Sequence, residues 1–92
     1  MRKYEAVFIF APDLAEEERV SKFNRLKTVI ESTGATVEND EWGTRKLAYE
    51  INDYKEGYYY VLQFEANNEV LIEVNRICRI TDGLLRDMVV AL

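Results

Sequence analysis

Polar and apolar residues alternate along the first segment, Arg2 to Phe10, as they do in a strand. Tyr4, Ala6, Phe8 and Phe10 share one face; Lys3, Glu5, Val7 and Ile9 share the other. Near its end both faces are apolar, which predicts a central strand covered on each side. The period then changes. Val20, Phe23, Leu26 and Ile30 recur at helical spacing, behind an opening in which Asp13 and Glu16 have the spacing of a capping box. The acids of the first turn sit well against the helix dipole, and Gly34 is the expected stop. A second strand begins at Ala35 to Asn39 and resumes from Trp42 to about Ile51, with Gly43 marking a bulge or bend in a long edge strand. Asn52 to Gly57 reads as a turn, and Tyr58 to Ala66 as a third strand. Asn67 or Asn68 caps a second helix whose stripe is Val70, Leu71, Val74, Ile77 and Cys78. Thr81 to Gly83 closes it, and Leu84 to Leu92 is the last strand.

The predicted order is β-α-β-β-α-β, an α+β chain of the split βαβ or ferredoxin-like pattern. Both helices are expected on one face of a four-stranded antiparallel sheet, with the other face open, in one domain covering residues 1–92. Many unrelated functions are built on this fold, so function has to be argued from the site.

Composition narrows the chemistry. The chain has no histidine and one cysteine, Cys78. A Ser-His or Cys-His nucleophilic pair is therefore impossible within it, and the usual zinc ligand sets are absent. The four glycines lie far apart, so no phosphate-cradling loop is formed. No catalytic residue, metal or other cofactor and no small-molecule substrate is expected. No apolar run is long enough to span a membrane, so no membrane association is expected either. A lone cysteine fits a reducing, cytoplasmic setting, with Cys78 a small buried apolar residue. The net charge of −5, from 17 acidic and 12 basic residues, weakly opposes long-range attraction to nucleic acid, but local patches decide docking.

The cations fall on or beside strands: Arg2 and Lys3, Arg45 and Lys46, Lys55, and Arg86. One reading is that they keep strand edges from pairing with other chains. The other is that a sheet meets RNA with cations and aromatic faces. "KEGYYYVLQF" is similar in outline to the third-strand motif of RNA recognition motifs, though Tyr58 and Tyr60 share a face with Leu62 and Phe64 and so read as core-edge residues. Leu47, Tyr49 and Ile51 alternate, anchoring the strand that carries Arg45 and Lys46 to the core. Trp42 is assigned neither to the core nor to a contact surface.

Four segments together resemble one family. "GTRKLAYEIN" is similar to the middle motif of the bacterial small-subunit ribosomal protein six family, and "MRKYEAVFIFAPDL" to its start. "EGYYYVLQFEA" and "DGLLRDMVV" look like its third and fourth strands. The resemblance implies the same fold, no enzymatic activity and a ribosomal, cytoplasmic location. It also implies binding to the central domain of the small-subunit ribosomal RNA, as a heterodimer with small-subunit ribosomal protein eighteen. By position it marks Arg2, Tyr4, Arg45, Lys46 and Arg86 as RNA-facing, with Lys55 and Tyr59 beside them. A basic partner would be neutralised by an acidic chain such as this one. Val7, Ile9 and Val61 are apolar on the face without helices, and a partner is expected to cover them. Ala91 stands where a basic residue is common in the family.

Two other classes make distinct predictions. A ligand-sensing ferredoxin-like domain would homodimerise and carry a glycine-bearing loop, which is missing here. A stand-alone binder of single-stranded RNA would need no partner. The family reading instead expects weak RNA binding by the isolated chain.

Overall fold

The computed structural model describes residues 2–32, 37–51 and 53–92, with the backbone alone at 40 and 48. The order is β1 (Arg2–Phe10), α1 (Glu16–Glu31), β2 (Val37–Ile51), β3 (Tyr54–Ala66), α2 (Asn68–Ile80) and β4 (Leu84–Ala91). The strands form one antiparallel sheet in the order β2-β3-β1-β4, the ferredoxin-like arrangement expected from the pattern.

β1 is central, and its alternation sorts the two layers. Ala6, Phe8 and Phe10 face the helices, together with Tyr60, Leu62, Phe64 and Ala66 of β3. α1 adds Phe23, Leu26 and Ile30; α2 adds Val70, Val74, Ile77 and Cys78. Tyr60 lies at the middle of this core. Its ring stacks on Phe23 at 3.9 Å between centroids and meets Phe10 edge-on at 5.8 Å. Its hydroxyl accepts from Arg19 Nε at 3.2 Å, so the one polar atom on a buried ring is satisfied.

Several local expectations hold. Asn67 caps α2, its side-chain oxygen accepting from the Val70 amide at 3.1 Å. Gly43 has a φ of +76°, and the β2–β3 register shifts between Glu41 and Gly43, so the bulge lies where the glycine indicated. Others change. Asp13 does not cap α1; Ala15 occupies the cap position without a side-chain bond, and Asp13 instead accepts from the Tyr54 hydroxyl at about 3.0 Å. The three glutamates of the first turn still face the positive end of the dipole. Val20 is exposed rather than part of the buried stripe, because the core-facing arc of α1 is narrow and centred on Phe23, Leu26 and Ile30. β3 starts at Tyr54, four residues earlier than expected, because Ile51 pairs with Tyr54 and extends the ladder almost to the turn. Asp53, at φ +68°, makes that turn. Gly34 and Asn52 lie outside the described residues.

Cys78 is buried in the core. Burial, with a smaller push from Asp87, raises its thiol from 9.0 to about 12. At pH 8 the folded protein should react with iodoacetamide at least about a hundredfold more slowly than the urea-unfolded chain, because thiolate and access are both withheld. Equal labelling rates in the two states would contradict the buried placement.

Candidate nucleic-acid and protein interface

The face of the sheet away from the helices carries most of the residues singled out from the sequence. Strand pairing arranges them in rows. Ile9 of β1 lies between Tyr59 of β3 and Arg86 of β4. Val7 lies between Val61 and Met88, and Glu5 between Gln63 and Val90. Across the other side of β3, Gly43 pairs with Tyr59 and Arg45 with Gly57.

The bulge shapes the upper end of this face. Trp42 sits at the register shift, 45 % exposed, and its indole stacks on Tyr59 with centroids 6.2 Å apart and planes 16° from parallel. The Arg45 guanidinium lies over the indole, 5.2 Å from its centroid. On the far edge, Arg86 donates to the Tyr49 hydroxyl and its guanidinium lies 5.7 Å from that ring. Each cation–π contact holds its arginine for about 0.5–1 kcal/mol without neutralising it. Among the described residues neither arginine is paired with a carboxylate; the one ion pair there is Arg76–Glu73 on α2. Two positioned guanidiniums that keep their full charge are suited to phosphate oxygens.

Leu47, Tyr49 and Ile51 do not anchor β2 to the main core. They line a shallow depression on the open face with Ile9, Tyr59, Arg86 and Met88. The register shifts again between Lys46 and Ile51, which frees the end of β2 to lie over the sheet. Gly57 permits the approach: a Cβ there would come within 2.4 Å of Ile9 Cγ2 and 3.3 Å of Leu47 Cδ2. Gly57→Ala should therefore destabilise the fold by about 1–3 kcal/mol through overpacking, measured by urea unfolding. An unchanged midpoint would show that β2 does not close here.

The placement of Ile9 under this segment, and of Val61 beside Trp42, corrects the expected exposed patch. Ile9 and Val61 do lie on the helix-free face, but they are only 4 % and 5 % exposed. Val7 is half-buried, and the large apolar side chains exposed on this face are Met88 and Val90 of β4, Leu92 just after it, and Trp42 and Tyr49 of β2.

The remaining cations are spread out. Lys55 and Lys46 are exposed near the β2–β3 turn. Strand alternation puts Lys55 on the open face, whereas Lys46 pairs with Glu56 on the helix side. Arg2 and Tyr4 are at the other end of β1, about 23 Å and about 17 Å along the strand from Ile9. Arg2 is exposed there, near the start of α2 with Asn67 and Asn68. The ring of Tyr4 packs against the core, 6.1 Å from Phe64. Thus Arg45, Lys55, Tyr59 and Arg86 come together on one face, while Arg2, Tyr4 and Lys46 do not join them. Sequence reasoning missed Trp42 and Tyr49 as members of the group. A tryptophan next to a glycine in an edge strand was the available signal for the first.

Comparison with known proteins decides the family. A family profile described as ribosomal protein S6 matches residues 3–91. The chain belongs to the ribosomal protein S6 family. It is 53 % identical over 91 residues to the small ribosomal subunit protein bS6 of Clostridium novyi, covering 98 % of this chain and 96 % of that one. The corresponding protein of Clostridium beijerinckii is 50 % identical over the same shares. The crystal structure of 30S ribosomal protein S6 from Thermotoga maritima superposes with a TM-score of 0.90 at 34 % identity, covering 99 % of this chain and 87 % of that one. A designed protein, Ferredog-Diesel, shares the fold alone, at a TM-score of 0.52 and 18 % identity. Members of the S6 family are structural, non-enzymatic components of the small ribosomal subunit, which places this chain with the ribosome in the cytoplasm.

Proposed function

We infer that this S6-family chain binds the central domain of the small-subunit ribosomal RNA jointly with small-subunit ribosomal protein eighteen, using the open sheet face and its β2–β3 end. The observation that carries the reading is the grouping of Arg45, Lys55 and Arg86 with Trp42, Tyr49 and Tyr59 on one face of a chain whose net charge is −5. Fixed cations on an acidic body favour one docking pose over general adhesion. Arg2, with Tyr4 beside it, is a second contact at the far end of β1, and Lys46 extends the first around the edge of β2. Val7, Met88 and Val90 offer the apolar area for the protein partner, over the buried Ile9 and Val61.

Filter binding to a central-domain RNA fragment tests this. The isolated chain should bind weakly, and addition of small-subunit ribosomal protein eighteen should raise affinity by at least about tenfold, as expected when a partner supplies charge and area that an acidic chain lacks. Tight binding by the isolated chain to unstructured RNA would favour the stand-alone reading instead.

A further inference from the structure

The two edges of the sheet are treated differently. β2 is an edge interrupted by the Trp42–Gly43 bulge and by a second register shift, and it carries Glu38, Glu41, Arg45, Lys46 and Glu50. Such features keep an edge from pairing with another chain. β4 has no bulge or register shift after its first residues, and its only charged side chains are Arg86 and Asp87. Its irregularity lies at the β1 pairing between Ile9 and Phe10, and from Arg86 onward the ladder is regular, continued by the Leu92 amide donating to the Lys3 carbonyl at 2.9 Å. The segment from Arg86 to Leu92 reads RDMVVAL, with no lysine, proline or glycine.

The direction of the Leu92 amide fixes the rest by alternation. Leu92, Val90, Met88 and Arg86 turn their backbone groups toward β1; Ala91, Val89 and Asp87 turn theirs outward. On the open face beside this edge stand Met88, Val90 (57 % exposed) and Leu92. Behind them are acids. Glu5 is directly across from Val90, with Gln63 donating to its carboxylate at 3.2 Å. Glu65 pairs with Lys3, and Glu38 with Gln63. The open face is thus acidic and apolar at this end, and basic and aromatic at the other.

We propose that the β4 edge, Arg86 to Leu92, takes an extended basic segment of a protein partner as a fifth strand. Main-chain bonds to Asp87, Val89 and Ala91 give affinity, and alternate side chains give specificity. Apolar residues of the segment lie against Met88 and Val90. Its lysines or arginines reach over Val90 toward Glu5, about two strand spacings or 10 Å away. A second copy of this chain is a poor occupant, since each copy carries −5 and would bring its own acids to the same edge. The inference rests on the reading that a basic protein partner shares this surface, but its test reads capture of a peptide, separately from ribosomal RNA binding.

The probe is an N-acetylated octapeptide alternating lysine and valine, added to the full chain and followed by amide hydrogen exchange and NMR titration. Exchange should slow at the amides of Asp87, Val89 and Ala91, with little change in β2. Ala91→Pro removes an outward donor while sparing the ladder to β1, and Val90→Lys places a repelling charge on the face. Each should weaken binding by about tenfold or more, with far-ultraviolet circular dichroism unchanged. Undiminished binding to either folded variant would overturn the proposal. So would equal binding of a glutamate–valine peptide, protection confined to β2, displacement of the peptide by oligouridine, or a concentration-dependent dimer closed through β4. Loss of ribosomal RNA binding with peptide capture intact would count against the RNA reading alone.

Discussion

Phe8→Ala should cost about 3–5 kcal/mol, the usual range for deleting a fully buried phenylalanine. Total stability for a domain of this size is about 5–15 kcal/mol, so the variant is expected to be only marginally folded at 37 °C. The size of the effect follows from position. Phe8 is completely buried on the central strand, opposite Tyr60 on one side and Asp87 on the other, under both helices. A cavity there cannot collapse, because β1 is held by ladders on both edges. Met88→Ala, one strand away on the open face, should cost less than about 1 kcal/mol, since its side chain is already substantially exposed. Urea unfolding of both variants measures the contrast. A loss below about 1.5 kcal/mol for Phe8→Ala would mean that the core is not centred where the strand pairing puts it.

The second large effect is on binding. Arg45→Ala, Lys55→Ala and Arg86→Ala combined should lower the salt dependence of central-domain RNA binding, in the presence of the partner protein, by roughly three units of slope, about one per lost phosphate contact. Between 50 and 200 mM salt the unmodified chain should then lose some tens of fold more affinity than the triple variant. Stability should change little, since two exposed cation–π contacts of about 0.5–1 kcal/mol each are what the fold gives up. Removing Arg2 in addition should lower the slope by about one more unit. A triple variant with an unchanged slope would move the RNA contact off the open face.

The sequence revealed most where a residue's role is local. Alternation marked the bounds of β1 and its two apolar faces, because a central strand must bury both. Asn67 and Gly43 each announced a backbone event that few other residues support. Asp13 misled because its carboxylate has a competing partner, the Tyr54 hydroxyl, that is 41 residues away and visible only once the β2–β3 hairpin is placed. Leu47, Tyr49 and Ile51 misled for a related reason. Alternation says that three such residues share a face, but not which face. The register shift after Lys46 and the missing side chain at Gly57 decide that, and both depend on strand pairing.

The same logic separates the candidate site residues. Arg45 and Arg86 are 41 positions apart, and nothing local indicates that a bulge and an overlying strand end place them on one face, each against an aromatic ring. Resemblance to a family marked both positions without that geometry. Alternation with Leu47 and Ile51 makes Tyr49 an anchor in the sequence; in the structure it is 59 % exposed, and its hydroxyl accepts from Arg86. The expected apolar patch failed in an instructive way. Ile9 and Val61 have the right face but are covered by their own chain, so exposure passes to the edge strand, at Met88 and Val90.

The claim beneath all of this is that the helix layer builds the fold while the bare side of the sheet does the docking. Hydroxyl-radical footprinting of the chain, free and within assembled small subunits, reads that division directly, since tryptophan, tyrosine and methionine are efficient reporters. Trp42, Tyr49 and Met88 should become protected on assembly, while Ile72 and Val20 on the outer helix surfaces keep their free-chain reactivity. Protection of the helix residues with Trp42, Tyr49 and Met88 left unchanged would contradict the account.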